Sequence, residues 1–442
     1  MEDCRVIPVG HKLRLLRKRY NLRQEEIVGD DVTRNLISQI ENGKAKLTRS
    51  TAQIIMSHVT EILEKNNLTL DIDIEYLLED QEAQARKILD QFIDELKELL
   101  DNNDTSFINT LKDADQFLLE WDFIDKKILI CELAGDYFSG NNDFYKASVY
   151  YENVKCLMNL NMDVASLIPV LKKLSKVYFC MEKYKDGIDV CNYALDRFPQ
   201  MNDDYKVVFL FNSSLYYNYS KEYKKSLDII DKLKNIVNEN TKDKHGDIYI
   251  RILLLQASSL QFLKCYDEAL KIYNIALEIT SKENCGYISI YCNNICEIYI
   301  DMGKIEEANE RINFILNNLK NIPNDFIMLP QLYLEISRRY IELKDYDNAV
   351  TYLRKTLNLA KAFKYSFVIN DVIMELIHMS HKDLAVNIKD EFIELVTNVG
   401  SVNNMLMLNV LQYFTKLNDA KSVIEICEFC KKYSENTYKG RD

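Results

Sequence analysis

A small residue recurs down this chain at a nearly fixed interval. Ala147, Gly187, Ser226, Ala269, Ala308 and Ala349 follow one another at spacings of 39 to 43 residues. Each is preceded three positions earlier by an aromatic or large aliphatic residue (Phe144, Tyr184, Tyr223, Tyr266, Ile305, Tyr346) and nine positions earlier by a large apolar one (Phe138, Tyr178, Tyr217, Leu260, Tyr299, Tyr340). Such a period is the mark of a stacked array of supersecondary units. With only 11 Gly and 5 Pro in 442 residues, punctuation is too sparse for many strands, so the unit is a helical hairpin. The large residue ends helix A, a short polar turn follows, and the small residue lets helix B approach closely. The expected fold class is all-α. Weaker hairpins around Ala385 and Ala420, the latter with Leu417, Ile424 and Cys427, are expected to cap the array.

A stacked array of hairpins leaves one face lined by its A helices, and a groove there is where a ligand would lie. Steps of three and four track one helical face. Counted from the residue that ends each helix A, they place Lys172, Lys176, Asn218, Arg251, Gln261, Asn293, Glu297, Gln331 and Arg338 on that stripe, with Asn294 beside Asn293. The expected surface is an apolar floor with isolated Asn, Arg, Lys and Gln. Asn amides can clamp a peptide backbone and Arg or Lys can hold a carboxylate, so a short peptide suits it. Asn293 and Asn294 are the foremost candidates.

Before the array stands a different pattern. Residues 9–20 form a basic amphipathic helix closed by Asn21, Gln24 opens a second helix, and Thr33 is placed to cap a third that ends at Asn42-Gly43. Ile27, Leu36, Ile37 and Ile40 are spaced to face one another, which is the arrangement of a helix-turn-helix that enters a DNA groove. On the exposed side of the third helix, Arg34, Asn35, Ser38 and Gln39 are the candidate base readers, since Arg suits guanine and Asn or Gln suits adenine. Gln24, Lys44, Lys46 and Arg49 are candidate phosphate contacts, and Thr33 belongs to the same surface. Residues 66–80 alternate apolar and polar, as a short strand or an extended connector would, and residues 82–100 form a long helix that joins the reader to the array.

Charge follows the same division. Residues 1–65 carry 12 Lys+Arg against 9 Asp+Glu, whereas the whole chain has a net charge of -12. The basic excess therefore sits where phosphate would lie, and the acidic remainder repels it. The first twenty residues hold no uninterrupted apolar run, and no later stretch approaches the ~20 apolar residues of a membrane span. A cytoplasmic protein without membrane contact is expected, its 11 cysteines serving as small hydrophobes. His378-x-x-His381 and Cys427-x-x-Cys430 have usable metal spacings but no complete ligand set. No nucleotide-binding or catalytic pattern is present, so no metal, cofactor or enzymatic activity is expected.

Two resemblances sharpen these expectations. Leu22-Arg23-Gln24-Glu25-Glu26-Ile27 and Ile37-Ser38-Gln39-Ile40-Glu41-Asn42-Gly43-Lys44 resemble the repressor-type helix-turn-helix of the Xre/Cro family over about residues 9–63, with the turn at 29–32 one residue shorter than the common form. The repeats resemble tetratricopeptide repeats, most clearly at Leu171, Leu174, Tyr178, Gly187, Ala194 and Pro199, stretched from the usual ~34 residues. Together the two modules resemble the RRNPP family of peptide-pheromone regulators (Rap, Rgg, NprR, PlcR, PrgX) over essentially the whole chain.

That resemblance implies three segments: a DNA-binding domain at 1–65, a connector and linker helix at 66–100, and a right-handed tetratricopeptide-like α-solenoid at 101–442 for peptide sensing and dimerisation. It implies a homodimeric quorum-sensing transcription regulator that binds double-stranded operator DNA and is controlled by a short signalling oligopeptide in the groove. The alternatives are an adaptor that sequesters a response regulator or phosphorelay protein, and a phosphatase using a groove residue such as Gln261 or Glu297.

Overall fold

A computed structural model of the chain describes residues 5–439 apart from 30–31, 161–165, 238–247, 343, 364, 380–386 and 400–401. The described residues form 22 α-helices and no strand. They group into two compact units, one of Met1–Tyr137 with Val149–Asp163 and the other of Phe138–Ser148 with Val164–Asp442.

In the first unit, α1 (Val9–Arg19), α2 (Arg34–Glu41) and α3 (Arg49–Lys65) enclose a core of Leu13, Leu16, Ile27, Ile37, Ile40, Ile55 and Val59. Gly10 lets α1 reach the end of α2, because a Cβ there would stand 1.9 Å from the Ile40 carbonyl oxygen. Thr33 caps α2 as expected, its hydroxyl accepting from the Leu36 N–H at 3.2 Å. Gly43, at φ +71°, terminates the helix. The helix expected to open at Gln24 is instead a run of turns. Gly29 and Val32 exchange both backbone hydrogen bonds at 3.1 Å, and Leu22 N–H is bonded to Arg17 O. Between these closures the Glu26 N–H bonds to Arg23 O at 3.1 Å, three residues back, which is the bond of a turn.

Residues 68–73 carry no regular structure, and their alternation has a physical reason. Leu70 and Ile72 pack against the α1–α3 core while Asp71 pairs outward with Arg19 and Tyr20. A short α4 (Ile74–Leu78) follows, then α5 (Gln81–Asp101), α6 (Phe107–Glu120), α7 (Ile124–Gly140) and α8 (Phe144–Leu160).

The second unit carries the array. Hairpins α9/α10 (Leu167–Cys180, Tyr184–Arg197), α11/α12 (Asp203–Tyr219, Tyr223–Lys234), α13/α14 (Ile248–Phe262, Tyr266–Ile279), α15/α16 (Cys285–Asp301, Ile305–Asn318) and α17/α18 (Leu329–Glu342, Tyr346–Phe363) follow in order. After them come α19 (Ser366–Met379), α20 (Ile388–Val399), α21 (Asn404–Lys416) and α22 (Ala420–Lys439). Each A helix from α9 to α21 packs on the next A helix, which makes one continuous layer. The array is tetratricopeptide-like, and the recurring small residues Ala147, Gly187, Ser226, Ala269, Ala308 and Ala349 are all buried. A Cβ on Gly187 would meet the Tyr216 ring at 2.8 Å.

One turn closes each hairpin from α7/α8 to α17/α18. A residue of positive φ stands five before the small one (Asn142, Glu182, Lys221, Lys264, Gly303, Lys344), and the next N–H returns to the carbonyl of the large residue, as Lys183 N–H does to Tyr178 O at 2.9 Å. The same turn recurs at Asn418, with Asp419 N–H bonded to Phe414 O at 3.0 Å. The last hairpin is therefore in register on Phe414 and Val423, not on Ala420. The expected hairpin at Ala385 lies outside the described residues. Repeats are also stitched along their turns: Tyr184 stacks on Tyr219 at 5.4 Å, Tyr223 on Phe262 at 4.9 Å, and the Tyr266 hydroxyl donates to Asp301 at 3.0 Å.

Candidate functional site

The amino-terminal bundle is held by a buried carboxylate. Glu41, at the end of α2, has a side chain only 4% exposed and accepts from Arg17 Nε at 2.8 Å, Arg17 Nη2 at 3.1 Å and Gln24 Nε2 at 2.8 Å. Arg17 Nη1 also donates to Leu22 O at 2.9 Å, so one guanidinium ties α1, the turns and α2 together. Burial alone raises the Glu41 pKa, and the hydrogen bonds from Arg17 and Gln24 more than offset it, leaving it below the ordinary glutamate value.

Around this clamp the outer surface is rich in arginine. Arg34, Asn35 and Gln39 of α2 are exposed, as are Lys44 and Lys46, while Ser38 is half-buried. Arg34 Nη1 pairs with Glu25 at 3.0 Å. Two of the other candidates are otherwise engaged: the Thr33 hydroxyl caps α2, and the Gln24 amide nitrogen is spent on Glu41. Sequence reasoning passed over Arg14 and Arg23, which are exposed and line the same cleft as Arg34 and Asn42. Arg14 stands one turn before Arg17 on α1, a spacing that could have revealed it.

On the A-helix layer, the expected isolated polar groups are joined into networks. Asn294 Nδ2 donates to the Tyr273 hydroxyl at 2.9 Å, and that hydroxyl donates to Gln261 Oε1 at 3.1 Å. Asn293 is 3% exposed and its amide lies 3.4 Å from Asn294 Oδ1. Asn218 donates to Ser259 at 2.9 Å, bridging neighbouring A helices. Arg251 is exposed, with its guanidinium 4.6 Å from the Phe211 ring centroid, and Lys172 and Lys176 are exposed as well. Gln331 Nε2 donates to Glu335 at 3.0 Å.

The second network is ionic. Arg338 meets Glu335 at 2.7 Å, Glu375 at 2.7 Å and Asp371 at 3.4 Å. Its neighbour Arg339 is buried and meets Glu342 at 2.7 Å, Glu297 at 3.4 Å and Glu335 at 3.8 Å. Burial raises the Glu297 and Asp371 pKa values, partly offset by Arg339 and Arg338 respectively. Five carboxylates thus surround two guanidinium groups, and Arg338 is not a cation awaiting a ligand carboxylate. Arg339, Glu335, Asp371 and Glu375 were missed by counting along one stripe. The Arg338-Arg339 pair with Glu335 and Glu342 a turn to either side is the local signal for them.

Among the described residues no group of three or more His, Cys, Asp or Glu is placed to hold a metal ion, and His381 lies outside them. No described helix is long and apolar enough to cross a membrane.

The chain matches no protein-family model. It is 32% identical over 94 residues to the Hsp70-Hsp90 organising protein of Plasmodium falciparum (isolate 3D7), a match that spans 21% of this chain and 16% of that relative. Similar solved structures include the apo form of RapI, at 16% identity and TM-score 0.41 over 80% of this chain and 99% of that one. Another is the apo form of the quorum sensor NprR from B. thuringiensis, at 14% identity and TM-score 0.42 over 79% of this chain and 99% of that one.

Proposed function

We propose that the chain is a transcription regulator of the quorum-sensing type, in which α1–α3 read operator DNA and the A-helix layer of the array takes a short signalling peptide. The observation that carries this reading is the exposed face of α2. A Thr-capped helix of eight residues presents Arg34, Asn35 and Gln39 outward, flanked by Arg14, Arg23, Lys44 and Lys46, on a bundle locked by Arg17 and Glu41. Arg34 and Gln39 supply the bidentate geometry that base edges require, and the flanking cations supply phosphate contacts. Two copies, as a homodimer, place two such helices on half-sites about 34 to 36 Å apart.

Around Arg338 and Arg339 the ligand meets five carboxylates against two guanidinium groups, so at that end of the layer a peptide ammonium or basic side chain is favoured over a peptide carboxylate. Asn293, Asn294 and Gln261 serve the backbone once the ligand exchanges with the Tyr273 network. Peptide binding biases the array between two states, and a coupling of about 1 to 3 kcal/mol changes DNA affinity about 5- to 150-fold. Salt-dependent anisotropy with operator duplex, with and without cognate peptide, tests this: identical isotherms in both states would sink the peptide half of the reading. A second reading, an array that docks a protein partner, is favoured by the 94-residue likeness to an organising protein. Its test is a pull-down from cell extract followed by identification of a stoichiometric partner whose binding blocks DNA binding in the absence of peptide.

A further inference from the structure

Lys12 is 2% exposed although it lies on the basic helix α1. An ammonium group removed from water needs partners for its donors. Its Nζ donates to Tyr76 O at 2.7 Å and to Glu79 O at 3.1 Å, lies 3.4 Å from Glu79 Oε2 and stands 4.5 Å from the centroid of the Tyr76 ring. The other Glu79 oxygen pairs with Lys87 of α5 at 2.6 Å. A lysine of α1 is thus wholly spent on a segment more than sixty residues later in the chain.

A second tie meets the first at the Glu79 carbonyl. Gln84 of α5 is 9% exposed; its Oε1 accepts from Ile7 N–H at 3.0 Å and its Nε2 donates to Ile7 O at 2.9 Å. This is the paired donor and acceptor of a strand ladder, supplied by a side chain. The same Nε2 lies 3.0 Å from Glu79 O and 3.1 Å from Asp80 O, which anchors the start of α5. Beyond Gln84, α5 is fixed in turn: Arg86 pairs with Asp125 at 3.0 Å and lies over the Phe123 ring, Lys126 pairs with Asp90, and Thr110 donates to Glu95 at 3.0 Å.

We propose that Lys12 and Gln84 are positioning residues that lock the α1–α3 bundle onto α5, so that the bundle, residues 66–80 and α5 move as one body. Neither a lysine with its donors consumed nor a glutamine with both amide atoms consumed is compatible with a bundle swinging on a loose connector. Leu70, Ile72, Ile74 and Leu77 of the connector pack into the bundle core and close the same joint. The functional consequence rests on reading α1–α3 as a DNA reader: a rotation of α5 is then delivered to the bases without loss along a tether.

The test is made on the full chain without DNA, so it can fail or succeed independently of the DNA-reading proposal. Nitroxides attached to a ketone-bearing amino acid at exposed positions 53 and 94 report the distance between bundle and α5, and a pair at 18 and 53 reports the bundle itself. The expected result is one narrow population for the 53/94 pair, which broadens into several in Lys12→Met/Gln84→Leu while the 18/53 pair stays narrow. Gln84→Glu, close in shape, also broadens the 53/94 pair, because its carboxylate faces the carbonyls of Ile7, Glu79 and Asp80. A broad distribution in the unaltered chain, or a narrow one in Gln84→Glu, overturns the proposal. Should the double variant lose the narrow 18/53 distance, the unaltered chain and Gln84→Glu decide alone.

Discussion

Replacing Glu41 by Gln takes one anion out of the α1–α2 clamp and leaves the rest of the bundle in place. The carboxylate accepts three hydrogen bonds, two of them from Arg17. A carboxamide keeps one acceptor oxygen and turns an NH2 toward donors that it cannot satisfy. Losing charge-assisted bonds and leaving Arg17 without its counter-ion costs about 3 kcal/mol, the range for breaking a poorly solvated ion pair from one side. The remaining Arg17 bond to Leu22 O keeps the figure at the low end. A long repeat protein does not unfold in two states, so the assay is hydrogen exchange resolved to α1 and α2 in the full chain. Protection there falls about a hundredfold, the equivalent of about 3 kcal/mol, while α9–α18 are unchanged.

The effect has a defined pH window. The folded-state pKa of Glu41 lies below its unfolded value, so its stabilisation is complete above the ordinary glutamate value of about 4.3 and is lost as pH falls through the folded value. Glu41→Gln abolishes that acid-side loss of protection. A change under about fivefold at neutral pH, or an unaltered acid profile in the variant, would refute the reasoning.

Two further predictions concern the array. Gly187→Ala sets a Cβ 2.8 Å from the ring of Tyr216, which is 2% exposed and hydrogen-bonded to Ser175, so it destabilises α9–α11 by about 1 to 3 kcal/mol, measured by exchange in those helices. Lys264→Gly relieves a residue held at φ +61° and stabilises the α13/α14 hairpin by about 1 kcal/mol, read as slower exchange there; a loss of protection would contradict the left-handed assignment.

The parts of the fold that depend on local chemistry were legible beforehand. Thr33 caps α2, Asn21 and Gly43 take positive φ at helix ends, and the small residues from Ala147 to Ala349 are buried where helix B meets its neighbours. What depended on distant partners was not. Gln24 has the chemistry of a helix start, yet its amide is claimed by Glu41 seventeen positions away and the chain turns back at Gly29. Arg338 has the stripe position of a ligand-binding cation, but two of its carboxylates, Asp371 and Glu375, belong to the next A helix. In a solenoid the neighbour of a groove residue lies a full repeat away, and no local pattern displays it.

The proposal that this chain reads DNA through the α2 face is tested most directly by selection from a pool of randomised duplexes. The full chain and an Arg14→Ala/Arg23→Ala/Arg34→Ala variant are compared at several salt concentrations. The account predicts enrichment of a two-fold symmetric sequence by the unaltered chain, with affinity falling as salt rises. The variant loses that enrichment, and its salt slope is shallower by about one for each phosphate contact removed. No enrichment by the unaltered chain, or the same sequence and slope from the variant, would contradict it.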